Sequence, residues 1–252
     1  KLSFEAPVMG AQSRANVPGE ISGTTYPTNE NFAAFAWQYT GEDDDWWENK
    51  VSFWSDKEIW AYTGEPNWSI TTGDKSYYWP KAPQKLAFSA YSPAELAGTV
   101  SYTSKDDGLT VTDFTVDGIV ANQLDLMYAF KNGCTEALYG DAGVPLNFQH
   151  ALSSIVFAAI DNDDNADYEI NSITIKGKFQ IKGTFKELAT TKWSGSPEST
   201  AVTYAPSVRV TEVPEDQATE FTYGTSALLM IPQAVPADAT VSIVYTVKPT
   251  TG

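Results

Sequence analysis

The sequence has almost none of the residues that carry metal or nucleophile chemistry. Its 252 residues include one histidine, His150, and one cysteine, Cys134. A lone cysteine excludes an intrachain disulfide, and a lone histidine excludes most catalytic and metal sites that depend on several imidazoles. There is also no phosphate-binding glycine loop and no Gly-x-Ser-x-Gly nucleophile turn. We therefore predict a protein that is not an enzyme and that has no catalytic, cofactor or metal site.

Positive charge and long apolar runs are scarce as well. The chain has 16 Lys and Arg residues against 32 Asp and Glu residues, which gives a formal net charge of −16. A surface this acidic repels phosphate backbones and anionic lipid headgroups, so we expect no nucleic-acid partner. No apolar run reaches the roughly 18 residues of a membrane-spanning helix, so we expect no transmembrane segment in this chain.

What the sequence does have is apolar residues at every second position, which is typical of half-buried antiparallel strands. The clearest stretch runs from Ile173 to Lys182, and Val241, Ile243, Tyr245 and Val247 repeat the pattern. In Leu109–Val116 the alternation slips by one residue, which predicts a β-bulge. Further strands are predicted at Phe32–Trp37, Val51–Trp54, Leu86–Tyr91 and Leu124–Phe130. Short strands separated by Gly, Pro, Asn and Asp clusters predict an all-β fold of sandwich type.

Composition divides the chain near residue 146. The segment Asn132–Pro145 is rich in glycine and other small residues, and seven of the eight tryptophans lie between Trp37 and Trp79. We predict an N-terminal β-sandwich domain over residues 1–146 and a C-terminal β-sandwich domain over residues 147–252.

The tryptophan cluster allows two interpretations. Aromatic rings fill sandwich cores, and this is the interpretation that strand positions favour. Aromatic rings also stack on sugar faces, so the alternative is a carbohydrate-binding surface protein that uses region 37–79. The candidate ligand platform consists of Trp46, Trp47, Trp54 and Trp60.

An acidic run, Glu42–Asp45, precedes the first two of these tryptophans. Like charges repel, so the run is expected to be a solvated loop tip. Calcium binding is the alternative, because hard cations bind several oxygen ligands.

The N-terminal strand is the most informative feature for function. Leu2, Phe4, Ala6 and Val8 alternate with polar residues or proline, and a short flexible segment then leads to Arg14 and Ala15. Small polar neighbours make this segment a good protease substrate. We interpret residues 2–8 as a strand that can be displaced, with proteolytic processing between Arg14 and Ala15. Its loss would leave an apolar groove with unpaired edges, which is a template for strand addition. The alternative is an ordinary edge strand followed by a loop with an incidental arginine.

Five segments in the same order along the chain resemble the fimbrillin family, the pilins of type V pili from Gram-negative gut and oral bacteria. The segments are Thr24–Pro27 with Asn31–Ala36, Tyr77–Pro80 with Leu86–Pro93, Gln123–Ala129, Val144–Ile155 and Leu228–Gln233.

This resemblance implies two tandem transthyretin-like antiparallel β-sandwich domains and a role as a fimbrial structural subunit or a fimbrillin-like adhesin. It implies export as a lipoprotein precursor to the outer membrane and a place in a cell-surface fimbrium. It further implies Arg-directed removal of the N-terminal strand at Arg14, followed by donor-strand exchange. The partners would be other pilin subunits, an Arg-specific protease and a host receptor or glycan. His150 would be a structural strand residue.

Overall fold

The computed structural model of the protein describes most of the chain. The described residues are 1–7, 26–64, 68–70, 75–96, 98–163, 165–206, 208–215, 218–220 and 228–249.

Strands make up nearly all of the regular structure, which confirms the predicted all-β fold class. In the described part of the chain, the strands before residue 146 are β1 (Phe4–Glu5), β2 (Phe32–Tyr39), β3 (Val51–Ser52), β4 (Glu58–Tyr62), β5 (Trp68–Ile70), β6 (Lys85–Ser92), β7 (Thr99–Ser101), β8 (Thr110–Thr115), β9 (Met127–Cys134) and β10 (Val144–Pro145). Those after it are β11 (Gln149–His150), β12 (Ser153–Ile155), β13 (Ala158–Ala159), β14 (Ala166–Gly177), β15 (Lys182–Lys186), β16 (Trp193–Ser194), β17 (Val202–Tyr204), β18 (Thr219–Glu220), β19 (Leu228–Met230) and β20 (Thr240–Pro249).

The helices are short. In the segments that the structure describes, they are the single-turn helix α1 (Glu136–Tyr139) and two 3-10 turns at Asp43–Asp45 and Val120–Asn122. Among the residues described, no helix has the length and apolar character needed to cross a membrane.

Within the described residues, nine strands form the largest sheet, in the order β10-β1-β5-β4-β2-β6-β9-β11, with β3 added beside β2. Its ladders are antiparallel except that between β1 and β10. The end strands β10 and β11 are separated by only residues 146–148, so the two ends of the sheet lie close together. The sheet therefore curls back on itself.

Both faces of this sheet are covered by apolar side chains. In β6, Leu86 and Phe88 belong to a first core, whereas Ala87 and Tyr91 belong to a second core on the opposite face. Because both faces are buried, β2 is apolar at every position except Gln38, and β6 contains the consecutive apolar residues Leu86–Phe88 instead of a strict alternation.

The second core lies between the large sheet and a four-stranded sheet in the order β16-β15-β8-β7. β15, which follows residue 146, pairs with β8, which precedes it. A ladder therefore connects the two predicted domains, and the division at residue 146 stays a prediction. The transthyretin-like topology of each half likewise stays an expectation.

The β-bulge predicted in Leu109–Val116 is confirmed. The register between β8 and β15 shifts by one residue, and Asp113 of β8 has a φ of 58°. The strand predicted from Ile173 to Lys182 is interrupted, because β14 ends at Gly177 and β15 begins a separate sheet. The pattern near the C-terminus forms β20, but all ten of its residues are exposed, which corrects the expectation of one buried face. No described strand covers that face.

Candidate functional site

The strand β1 lies inside the large sheet, with a strand hydrogen-bonded on each side. Phe4 pairs with Val144 of β10 in the parallel direction and with Trp68 of β5 in the antiparallel direction. We call the space between β5 and β10 that residues 2–7 fill the β1 slot. An extended segment in such a position satisfies polar backbone groups on both of its neighbours.

The backbone of residues 2–7 is held along its whole length. In this parallel pairing, the C=O groups of alternate residues in the segment 2–7 accept hydrogen bonds. The donors are the N–H groups of alternate residues from Val144 onward. The bonds, each of 2.9 Å, run from the N–H groups of Val144, Leu146 and Phe148 to the C=O groups of Ser3, Glu5 and Pro7, from Leu2 N–H to Tyr77 C=O, and from Tyr26 N–H to Ala6 C=O.

The side chains of this segment alternate between the first core and solvent, as the sequence pattern predicts. Leu2, Phe4 and Ala6 are 2%, 0% and 7% exposed, whereas Lys1 and Glu5 are exposed. The apolar side of the strand therefore forms part of the core itself.

The ring of Phe4 occupies an aromatic pocket. Its centroid lies 4.5 Å from that of Trp60, 5.0 Å from that of Phe88 and 5.9 Å from that of Phe32, each in an edge-to-face arrangement. Such pairs contribute about 0.5–1.5 kcal/mol beyond the burial of their area. Phe4 is thus the principal anchor of the strand.

A glycine allows β10 to approach β1 closely. Gly143 has a φ of +91°, and a Cβ added there would lie 3.1 Å from the carbonyl carbon of Phe4. The parallel partner of β1 was not found by sequence reasoning. The alternation of Val144, Leu146 and Phe148 directly after this glycine is the signal that could have identified it.

The remaining residues of the predicted processing region, Val8, Arg14 and Ala15, lie outside the described residues. The chain has a second arginine, Arg209, whose side chain is 74% exposed and lies 3.5 Å from Glu169. Arg209 is therefore an exposed arginine that an Arg-specific protease could also cleave.

The four tryptophans of the candidate ligand platform do not form an exposed stacking surface. Trp46, Trp54 and Trp60 are buried, at 7%, 5% and 2% exposure. Trp47 is half-buried, and the ammonium group of Lys50 lies 3.4 Å from its ring centroid. The rings pack against protein, an arrangement typical of core residues.

The acidic run makes contacts within the protein. The Asp43 carboxylate accepts hydrogen bonds of 2.8 Å from the Tyr39 hydroxyl and the Lys85 ammonium. The hydrogen bond from Lys85, followed by that from Tyr39, lowers the pKa of Asp43. Asp43 thus connects the turn to β2 and β6.

The two rare nucleophilic or basic side chains are structural. Cys134 is fully buried, and this burial raises the pKa of its thiol to about 12, far above that of a reactive cysteine. His150 lies in β11, with Nδ1 2.8 Å from a carboxylate oxygen of Asp125, and both side chains are buried. Within the described ranges, no group of three or more His, Cys, Asp or Glu side chains is placed to hold a metal ion.

Comparison with known proteins gives one family and several related folds. A family model described as fimbrillin-like matches residues 14–251. No curated protein sequence matches the chain. A fimbrial protein from Bacteroides vulgatus has a similar structure, with a TM-score of 0.63 and 14% identity over 100% of this chain and 85% of that one. A protein from Bacteroides ovatus with a proposed role in cell adhesion has a TM-score of 0.55 and 13% identity, and the match covers 98% of this chain and 85% of that one. At these identities the likeness is one of fold.

Proposed function

This chain belongs to the fimbrillin-like family, and on that premise we propose that it is a fimbrial subunit that assembles by exchange of its first strand. The family is one of fimbrial and cell-adhesion proteins at the cell surface. We propose further that the protein is exported as a lipoprotein precursor to the outer membrane and that it has no catalytic role. Its partners are then other pilin subunits and an Arg-specific protease.

The observation that carries this proposal is the position of β1. The strand is hydrogen-bonded to β10 on one side and β5 on the other, and its anchor Phe4 is 0% exposed. Because β5 and β10 both follow β1 in the chain, a single cleavage between β1 and β2 would separate this strand from both of its pairing partners.

Removal of β1 would leave a site that favours another strand. Burial of Leu2 and Phe4 contributes about 1.5–3 kcal/mol for each side chain, and that contribution is lost when the strand leaves. The N–H groups of Val144, Leu146 and Phe148 would lose their acceptors, and each hydrogen bond that a new strand forms with them would contribute about 0.5–1.5 kcal/mol. The empty β1 slot would thus be an apolar groove with unpaired backbone on two edges.

A strand from a neighbouring subunit restores both kinds of interaction. Main-chain hydrogen bonds to β5 and β10 provide affinity. Pockets that accept every second side chain of the incoming strand fix its register relative to β5 and β10. The aromatic pocket around Phe4 is the deepest of these pockets, so a donor strand requires a large apolar residue at the matching position.

Processing at Arg14, before Ala15, accounts for how the strand is released. The match to the family model covers residues 14–251, so β1 lies before the matched residues. Cleavage there separates the slot-filling segment from the body of the subunit.

The test treats the full chain with an Arg-specific protease. The variant Arg209→Lys first removes the competing exposed arginine while keeping a positive charge near Glu169. On this background we expect mass spectrometry to show loss of residues 1–14. We expect light scattering to show that the uncut species has been converted into larger multimers.

Arg14→Ala in the same background is the matched control, and it should stay uncut and should not form these multimers. A synthetic peptide of residues 1–9, added in excess, should refill the slot and block multimer formation, whereas the same peptide with Phe4→Asp should not. A subunit that loses residues 1–14 without forming multimers would overturn the proposal, as would multimers that the peptide leaves unaffected.

A further inference from the structure

The strand β20 is a long apolar strand without a cover. All ten residues of Thr240–Pro249 are exposed, and among the residues described the strand pairs with β14 alone. About half of the backbone polar groups of an edge strand point away from its one partner. At roughly 34 Å, β20 has a long edge that no described strand pairs with, and natural proteins usually shorten, charge or cover such edges.

One face of β20 is apolar and points to the same side as buried residues of its partner. Ile243 pairs with Ile173 and Val241 pairs with Ile175, and both isoleucines of β14 are buried. Ile243 and Tyr245 are nevertheless 51% and 57% exposed. They line an open groove of about 410 Å³ together with apolar residues of β14 and its neighbours, among them Tyr168, Ile170 and Val213, and with the polar segment Asp161–Asp163.

The charge on β20 differs from that of the protein as a whole. The chain has a net charge of −16, yet Thr240–Pro249 contains no acidic residue and a single basic one, Lys248. That ammonium lies 2.8 Å from a carboxylate oxygen of Glu169, so the strand's one charge is paired within the chain. Two copies of this strand can therefore approach without like charges meeting.

The sequence of β20 is nearly palindromic about Val244. Antiparallel pairing of two copies centred there sets apolar side chains opposite apolar ones and polar side chains opposite polar ones. The opposed pairs are Val244 with Val244, Ile243 with Tyr245, Ser242 with Thr246, Val241 with Val247, and Thr240 with Lys248. Self-complementarity of this kind is what a two-fold symmetric interface requires.

We propose that β20 is a homodimer interface, in which two copies of the chain pair their β20 strands antiparallel about a two-fold axis at Val244. The pairing joins two three-stranded sheets, each in the order β17-β14-β20, into one continuous sheet. It places the exposed apolar side chains of one copy beside those of the other. An unrelated strand would need no palindrome, which is why the second copy is the favoured occupant. The proposal does not depend on the removal of β1.

Cysteine cross-linking tests the two-fold axis directly. Residues opposite each other in antiparallel strands have Cα atoms about 4.5–5.5 Å apart, within the range that a disulfide spans. Val244→Cys should therefore form a disulfide-linked dimer under mild oxidation in the full chain. Val235→Cys, at a position that is 78% exposed outside β20, is the matched control and should stay uncross-linked. The native Cys134 is buried and should not contribute.

Charge complementation provides the second arm. Val244→Lys and Val244→Glu each set like charges against one another across the axis, and each should weaken dimerisation about tenfold in sedimentation experiments. An equal mixture of the two variants should restore the dimer, while Val235→Lys should have no effect. A wild-type chain that stays monomeric at every accessible concentration would overturn the proposal. So would a dimer that Val244→Lys leaves intact, or one that the mixture does not restore. Because Val244→Lys leaves the β1 slot unchanged, cleavage at Arg14 can be tested separately in that variant.

Discussion

The substitution Phe4→Ala tests whether β1 is an energetically important part of the subunit or an incidental edge. The ring is 0% exposed and makes edge-to-face contacts with Trp60, Phe88 and Phe32. Truncation of a fully buried phenylalanine removes the transfer free energy of the ring and leaves a cavity, which together cost about 3–5 kcal/mol. We expect the free energy of unfolding to fall by that amount.

Equilibrium unfolding in urea measures this loss. With a denaturant slope of about 2–3 kcal/mol per molar, the midpoint should fall by about 1–2.5 M. Glu5→Ala is the matched control, because Glu5 belongs to the same strand but is exposed, and it should change stability by less than about 0.5 kcal/mol. A loss of less than about 1 kcal/mol for Phe4→Ala, or one equal to that of Glu5→Ala, would refute the reasoning that the slot stores free energy for assembly.

Three other predictions concern buried groups. Burial raises the pKa of Glu187, despite the hydrogen bond from Leu109 N–H and the charge of Lys192, so the folded state binds this proton more tightly than the unfolded state. Its contribution to stability is therefore full below the unfolded pKa of about 4.5 and is lost as the pH rises through the folded pKa. In Glu187→Gln, the free energy of unfolding measured in urea should depend less on pH in that window. An unchanged pH dependence would count against this prediction. Cys134, with its pKa raised to about 12, should resist alkylation at pH 8 in the native protein and react rapidly in urea, so rapid native labelling would contradict its burial. Because Trp46, Trp54 and Trp60 are buried, soluble sugars should leave tryptophan fluorescence unchanged, and saturable quenching would instead support a ligand platform.

Local patterning predicted the strands but not all of their burial. The apolar run Phe32–Trp37 and the alternation in Val241–Val247 both became strands, because side-chain periodicity depends only on neighbouring residues. Whether a face is buried depends on which element covers it. β2 is covered on both faces, whereas no described strand covers β20.

The candidate site could be predicted from the sequence only in part, because its side-chain pattern is local but its pairing partners are not. The alternation of Leu2, Phe4 and Ala6 marked a strand with one apolar face, and the described residues of that face are buried. The partners of the strand could not be predicted, since Val144 and Trp68 are distant in sequence. The tryptophans between Trp37 and Trp79 could not be assigned in this way. Their closeness in sequence does not tell whether the rings are buried or exposed, because that depends on how the sheet is assembled.

The residues alone determined the all-β class, the bulge in β8 and a first strand with one apolar face, because each of these depends on backbone and side-chain preferences over a few neighbouring positions. Only the tertiary structure decided that β1 lies between β5 and β10, that β15 pairs with β8, and that β14 is the one described strand that pairs with β20. Which distant segments pair depends on the burial and hydrogen bonding of the whole folded chain. A short stretch of sequence therefore does not determine its own partners.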